Sequence, residues 1–329
     1  MLHKKVEETI KRYGMLKKGD RVLVGVSGGP DSIFLLNTLY AMKDKIGVSI
    51  FAANLDHGIR GKASERDSEF VKREAKKLKV KCVHDKLRLT QDQLHGKLSV
   101  EEVLRLKRYE FFKRAARRFR ANVLATGHTL DDQAETVLMR VIKGSTIKGL
   151  AGIPPVGKNI GLKIIRPLIE TEKREILDFL DENNIPYRVD RTNLKERYFR
   201  NRLRNRVIPY LERYNPRLKR SLSLMAESLR EDKEFIEETK KTKRALIKAN
   251  GKCVSIKLKD IVIQPKTLQR EILRDALVES GANIKKLNFR HWRDMREFLR
   301  HKRSGQSLDL PGGVAVRRGR VEILFERRG

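Results

Sequence analysis

Residues 21–32 read RVLVGVSGGPDS, an apolar run that ends in a glycine-rich turn. The run Arg21–Ser27 predicts a buried strand, and the pattern from Asp31 to Met42 predicts a helix directly after it. Glycines allow a tight turn that exposes backbone N–H groups, and a helix N-terminus carries positive partial charge. The turn therefore predicts an anion-binding loop. Its candidate residues are Ser27, Gly28, Gly29, Pro30, Asp31 and Ser32.

This loop differs from two common phosphate-binding patterns. It lacks the lysine of GxxxxGK[ST], and it does not match GxGxxG. The alternative interpretation is an ordinary strand–helix turn, in which Asp31 and Ser32 only cap the helix.

The first half of the chain alternates strand-like and helical patterns, which is typical of an α/β fold with a parallel sheet. Residues 144–161 are rich in Gly and Pro and predict a loop. After about Pro216 a long amphipathic pattern predicts a connecting helix, and a smaller α+β unit follows. We expect a first domain over residues 1–216, a helical linker over 217–244 and a C-terminal domain over 245–329. Further strands are predicted at 48–54, 80–84, 122–126, 187–190, 254–258, 307–310 and 321–325, the last two flanking the PGG turn at 311–313, and further helices at 64–78, 131–142, 172–183, 267–280 and 289–300.

The charge balance points to a polyanionic partner. The chain has 75 Lys and Arg against 42 Asp and Glu, a formal net charge of +33. A charged surface of the kind found in heat-adapted proteins is the alternative, but it predicts roughly equal signs. Aromatic residues make up only 6% of the chain, which favours phosphate contacts over extensive base stacking.

Two cysteines, Cys82 and Cys253, are present. A disulfide scaffold, a structural zinc site and a CxxC redox pair are therefore not expected. No run approaches the roughly 18 apolar residues of a membrane span, and the charged N-terminus lacks the apolar core of a signal peptide. We expect a cytoplasmic protein that does not enter a membrane.

Further motifs follow the loop in a fixed order. They are LDHGIR at 55–60, Arg105 with Arg108-Tyr109, ATGHTLDDQAET at 125–136 and RNRLR at 200–204. SGGPDS after a first strand resembles the loop of the N-type ATP pyrophosphatases, the PP-loop superfamily. The whole series resembles the tRNA(Ile)-lysidine synthase family in its short form. The chain departs from that family at Thr129, where many members carry a second histidine, and at Asp56, where some carry asparagine.

The resemblance implies that ATP, with Mg²⁺, adenylates the C2 oxygen of the wobble cytidine (position 34) in a tRNA(Ile) with a CAU anticodon. Pyrophosphate leaves in that step. The ε-amine of L-lysine then displaces AMP and gives lysidine. Because the amine has a reference pKa near 10.4, it is protonated at neutral pH and the site needs a proton acceptor. The resemblance also allows a homodimer.

The family pattern implies a role for each motif residue. Asp31, Asp132 and Arg204 would be catalytic, Asp132 and Glu135 would contact lysine, and Asp31 and Asp132 would hold Mg²⁺. The ATP-binding residues would be Ser27–Ser32, His57, Arg108, Gly127 and His128. The residues expected to bind tRNA are Arg105, Arg200, Arg202, Arg206, Arg293, Arg296 and Arg300.

Simpler interpretations of these residues stay open. Asp132-x-x-Glu135 also resembles a helix capping box. His128 would equally suit a hydrogen-bonded structural histidine, and each single arginine would suit a solvated helix face.

Two other functions remain as alternatives. One is a tRNA thiolation enzyme with the same loop, although such enzymes generally carry paired cysteines. The other is a tRNA-binding protein without catalysis.

Overall fold

The computed structural model describes residues 1–56, 62–87, 100–189, 199–250, 253–301 and 303–327. The chain divides into two compact units, Met1–Arg230 and Glu231–Gly329. No helix within the described ranges is long and apolar enough to cross a membrane.

The first unit is built on a mostly parallel sheet. Its strands are Arg21–Gly25 (β1), Ser49–Asp56 (β2), Cys82–Lys86 (β3), Val123–Ala125 (β4), Val156–Asn159 (β5) and Leu162–Ile165 (β6). Their order across the sheet is β3-β2-β1-β4-β6-β5, and only β5 pairs antiparallel. The predicted parallel α/β class is confirmed.

Helices cover both faces of this sheet. Those described in the first unit are Leu2–Arg12 (α1), Pro30–Ile46 (α2), Lys62–Lys77 (α3), Val100–Phe119 (α4), Leu130–Ile142 (α5), Ile147–Leu150 (α6), Lys173–Glu182 (α7), Phe199–Arg202 (α8) and Ile208–Glu212 (α9). Side chains alternate along a strand, so Val22 and Val24 face one core whereas Leu23 faces the other. The core around Val22 includes Phe34 of α2, and the core around Leu23 includes Phe111 of α4. This double burial explains why β1 is a continuous apolar run.

Two expectations for this unit are wrong. The predicted loop over 144–161 contains the short helix α6 and the strand β5, which forms a hairpin with β6. The predicted strand at 187–190 is not paired over residues 187–189, and residue 190 lies outside the described residues. There the backbone of Arg188 donates instead to the carbonyl of Gly28, at 2.9 Å.

The helix Leu218–Thr242 (α10) continues from the first unit into the second, in agreement with the predicted amphipathic pattern. The remaining elements are Lys248–Asn250 (β7), Cys253–Lys257 (β8), Leu258–Val262 (α11), Lys266–Glu279 (α12), Phe289–His301 (α13), Ser307–Leu310 (β9), Val314–Arg318 (β10) and Glu322–Arg327 (β11). The strands form an antiparallel sheet in the order β7-β8-β11-β10-β9, so this unit is α+β as expected. The PGG turn joins β9 to β10, a strand that the sequence analysis did not predict. The predicted partner across this turn, 321–325, corresponds to β11.

Candidate active site

The glycine-rich loop connects β1 to α2 at the carboxyl end of the sheet. Gly28 has φ +90°, a conformation that L side chains rarely adopt. The Ser32 hydroxyl donates to the carbonyl of Gly29 at 2.9 Å and accepts from the backbone N–H of Ser27 at 3.1 Å. Pro30 occupies the first turn of α2, where a missing N–H costs nothing. The loop is therefore fixed by its own side chains at the positive end of a buried helix.

Two cavities flank this loop, and both are lined by Ser27, Gly29 and Asp31. The first has a volume of about 470 Å³. Its other lining residues are Gly25, Val26, Ser32, Ala53, Leu55, Arg108, Phe112, Thr126, Gly127, His128 and Asp132. The second has a volume of about 410 Å³ and is also lined by Pro30, Asp67, Lys173, Leu177, Tyr187, Arg188 and Val189.

Gly127 allows the strand end of β4 to approach the loop. A Cβ atom at this position would lie 3.2 Å from the carbonyl carbon and oxygen of Asp31. The segment that contains Gly127 therefore lies directly against the glycine-rich loop, and any side chain at this position would push the two apart.

Asp31 is the first acidic residue of α2 and lines both cavities. Burial raises the pKa of Asp31 to about 6, and the negative charge of Asp132 adds to this rise against the opposing effect of Lys173. The Lys173 ammonium lies 3.9 Å from Oδ2, whereas Oδ1 is buried and has no hydrogen-bond partner among the described residues. An unpartnered buried carboxylate oxygen beside a second carboxylate suits a cation.

Asp132 is held by the cap of α5. The Thr129 hydroxyl accepts from the Asp132 backbone, and Oδ2 of Asp132 accepts from the Thr129 backbone at 3.0 Å. The capping box is therefore formed by Thr129 and Asp132. It lies one turn before Asp132 and Glu135, the pair that the sequence analysis considered. Burial would raise the pKa of Asp132, but His128, Arg200, the Thr129 N–H and Arg204 together lower it. Asp132 is thus fixed in place and anionic.

Glu135 lies one turn further along α5 and is 1% exposed. Its carboxylate accepts from Arg204 Nε at 2.5 Å and from Arg200 Nε at 2.6 Å. A second nitrogen of Arg200 reaches Oδ1 of Asp132 at 3.0 Å. Arg200 and Arg204 are carried by α8 and by the π-helical turn Leu203–Val207. The two carboxylates and the two arginines form one cluster, with Asp132 on the cavity side.

His128 lines the first cavity and accepts from or donates to the Thr126 hydroxyl at 3.0 Å. Burial lowers the pKa of His128 to about 4, with the cations Arg166, Arg200 and Arg108 acting in the same direction and Asp132 opposing them. The side chain is therefore neutral at physiological pH, and it is both hydrogen bonded and adjacent to the cavity.

The remaining predicted residues are distributed as follows. Arg105 stacks over Tyr109 at 5.7 Å and Arg202 over Phe199 at 5.8 Å. Arg108 lines the first cavity. Arg206 belongs to the π-helical turn, and Arg293, Arg296 and Arg300 lie on α13 of the second unit. His57 lies outside the described residues.

Sequence reasoning missed several residues of the site. Lys173 and Arg188 line the second cavity, and no motif signals them because they come from a helix start and from an irregular segment. Thr129 is the cap that fixes Asp132, and the pattern Thr129-x-x-Asp132 could have indicated it. Arg200 was expected at the RNA surface, and the structure places it in the carboxylate cluster.

Comparisons with known proteins identify relatives of this chain. Residues 2–211 match the family model described as a PP-loop domain. A tRNA(Ile)-lysidine synthase of Clostridium perfringens is 34% identical and covers 95% of this chain and 66% of its own length. That of Clostridioides difficile is 33% identical, over 99% of this chain and 70% of its own length. The chain thus spans about two thirds of the length of these relatives.

A solved structure has a similar fold over part of this chain. It is the U34-tRNA thiolase NcsA from Methanococcus maripaludis, with a TM-score of 0.59 and 23% identity. The match covers 69% of this chain and 77% of the thiolase chain. From the family model, and from a similarity to the two synthases that covers 95% and 99% of this chain, the chain belongs to the tRNA(Ile)-lysidine synthase family of the PP-loop superfamily.

Proposed function

We propose that this protein ligates L-lysine to C2 of the wobble cytidine (position 34) of a tRNA(Ile) with a CAU anticodon. ATP adenylates the cytidine C2 oxygen and releases pyrophosphate, and lysine then displaces AMP to give lysidine. This change switches codon recognition from AUG to AUA. The observation that carries the proposal is Asp132, which lines the same cavity as the phosphate loop and is held anionic beside two arginines.

The loop and its cavity support the adenylation step. Backbone groups of Ser27–Ser32 at the start of α2 would bind the phosphates of ATP. Arg108 lines the same cavity, and Arg204 lies within 3.8 Å of Asp132. Fixed positive charge beside a transferring phosphate stabilises the charge that develops there. Gly127 lets the end of β4 lie directly against this loop, since a Cβ atom there would lie 3.2 Å from the Asp31 carbonyl.

Two carboxylates of this cavity suit the lysine step. Asp132 is anionic and would bind the ε-ammonium and accept its proton, while Asp31 adds negative charge to the same cavity. Glu135 is almost completely buried behind them and pairs with Arg200 and Arg204. In this proposal Glu135 contributes to lysine binding by positioning that cluster.

Mg²⁺ would be held by Asp31 and Asp132. The unpartnered Oδ1 of Asp31 and the adjacent Asp132 charge fit a hard cation that takes one or two carboxylates together with substrate phosphates. When bound, Mg²⁺ supplies charge neutralisation at the phosphates.

The reaction is tested by incubating the protein with ATP, Mg²⁺, labelled lysine and tRNA(Ile) bearing a CAU anticodon. We expect lysine to become covalently attached to the tRNA, with AMP formed in equal amount. AMP formation that depends on tRNA but is not accompanied by lysine incorporation would contradict lysine as the nucleophile. The absence of both products would favour a tRNA-binding protein without catalysis.

Cysteine chemistry separates this proposal from tRNA thiolation. Burial raises the pKa of the Cys82 thiol to about 11, so it is a poor nucleophile. We expect the double variant Cys82→Ser, Cys253→Ser to retain lysine incorporation within about twofold, because neither thiol lines the described cavities beside the loop. A loss of more than tenfold, with the fold intact by circular dichroism, would contradict this expectation and show that a thiol takes part in the reaction.

The net charge of +33 supports RNA as the partner, with phosphate contacts distributed over both units. We expect the double variant Arg293→Gln, Arg296→Gln to bind tRNA more weakly. The slope of log Kd against the logarithm of the salt concentration should become shallower by about one to two. Filter binding between 50 and 300 mM salt measures this slope. An unchanged slope would show that both arginines are only solvated.

The family resemblance also allows a homodimer. Sedimentation equilibrium, with and without tRNA, checks that prediction.

A further inference from the structure

A small cavity in the second unit is lined by cations and by two aromatic rings. It has a volume of about 80 Å³ and lies between the first turns of α12 and of α13. The residues that matter for its chemistry are Lys266, Arg270, Phe289, Trp292, Arg293 and Arg296. They recur at three- and four-residue steps, so each helix presents one face to the cavity.

Three of the four cations that line this cavity, Lys266, Arg293 and Arg296, have no acidic partner among the described residues. Within the described ranges the side chains of these three residues make no ion pair or hydrogen bond, and no carboxylate lines the cavity. Arg270 lies 3.5 Å from the buried Glu271. Arg290, on the same helix but outside the cavity, has Asp294 at 3.9 Å. Converging unpaired cations repel one another unless an anion lies between them.

The two rings offer stacking surface. Trp292 packs with one side against the core of the second unit and is half-buried. Phe289 is 67% exposed, although burial would favour it by about 1.5–3 kcal/mol. Aromatic faces beside arginines are the combination that binds an unpaired nucleobase together with its phosphate.

We propose that this cavity binds one unpaired nucleotide of the RNA substrate, with the base on Phe289 and Trp292 and the phosphate on Arg293 and Arg296. The identity of that RNA as a tRNA rests on the proposed function. A purely electrostatic helix face would need only the arginines, whereas the exposed Phe289 gives the site a preference for single-stranded over double-stranded RNA.

Trp292 is the only tryptophan of the chain, so its fluorescence reports directly on this cavity. The test titrates the full chain with a single-stranded tetraribonucleotide and, separately, with a blunt RNA duplex. We expect saturable quenching by the tetranucleotide, at least fivefold weaker binding of the duplex, and about a tenfold loss of tetranucleotide affinity in Phe289→Leu and in Arg293→Gln. Arg290→Gln is the matched control and should change the affinity less than twofold.

Several outcomes would overturn the inference. They are unchanged emission with the tetranucleotide, equal quenching by the duplex, or an equal loss in Arg290→Gln. A change in emission with protein concentration alone would indicate contact between copies of the chain instead. Lysine incorporation into tRNA is measured separately on the same protein preparations. Quenching without incorporation would keep the nucleotide site and reject the proposed reaction, whereas incorporation without quenching would keep the reaction and reject the nucleotide site.

Discussion

Replacing Asp132 by asparagine is expected to abolish lysine incorporation, lowering kcat/KM by at least about a thousandfold. The side chain keeps its size, but the carboxylate proposed to bind the lysine ammonium is lost, and Arg200 then faces a neutral amide at 3.0 Å. The affinity for tRNA should stay within a few-fold, because Asp132 lies in the cavity beside the phosphate loop. Measurements of labelled lysine transfer and of tRNA binding on the same preparation check both statements.

Asp131 provides the matched control for that variant. It is the adjacent acidic residue, and its carboxylate accepts from the Lys173 backbone at 2.7 Å and from the Lys219 ammonium at 2.9 Å. Asp131→Asn removes the same charge from the same helix start without touching the lining of the first cavity. We expect a loss of activity below tenfold. Unchanged turnover in Asp132→Asn, or an equal collapse in both variants, would remove Asp132 from the proposed lysine site.

The parallel sheet was predictable because its central strands are buried on both faces. β1 must fill two cores at once, so its sequence is continuously apolar and its end is marked by glycines. β5 was missed because neither of its faces is fully buried, so its sequence is not continuously apolar. It is an edge strand of four residues, half-buried or exposed, whose partner β6 follows after a two-residue turn at Ile160 and Gly161. Gly and Pro there mark turns at its ends, and composition alone cannot separate such a hairpin from a loop.

The acidic pair on α5 was also predictable, since motif spacing places Asp132 and Glu135 within one helical turn. The different positions of these two side chains were not. A spacing of three residues does not say which side chain faces the cavity and which is buried, and this depends on how α5 packs. Nor could it show that Arg200 and Arg204, about 65 residues later, would fill the space between the two carboxylates. Only the fold brings those segments together.

Glu135→Gln is the second variant with a large expected effect. The Glu135 carboxylate accepts three hydrogen bonds from two arginines and is 1% exposed. A glutamine offers one oxygen and turns an NH₂ group toward a guanidinium, so Arg204 should lose its position beside Asp132. We expect both tRNA-dependent AMP formation and lysine incorporation to fall by about a hundredfold to a thousandfold. The free energy of unfolding should fall by only about 1–2 kcal/mol, because water screens the partly exposed arginines.

Two further variants distinguish a role of Glu135 in positioning Arg204 from a role in the stability of the fold. Glu170 pairs with Arg12 at 2.6 Å in the same unit, away from the residues that line the loop cavities, so Glu170→Gln should lower stability without a comparable loss of turnover. If Glu135 acts by holding Arg204, then Glu135→Gln combined with Arg204→Gln should be little worse than Arg204→Gln alone, a non-additive pair. Additive losses would instead mean that Glu135 contributes to catalysis independently of Arg204, for instance by contacting lysine itself.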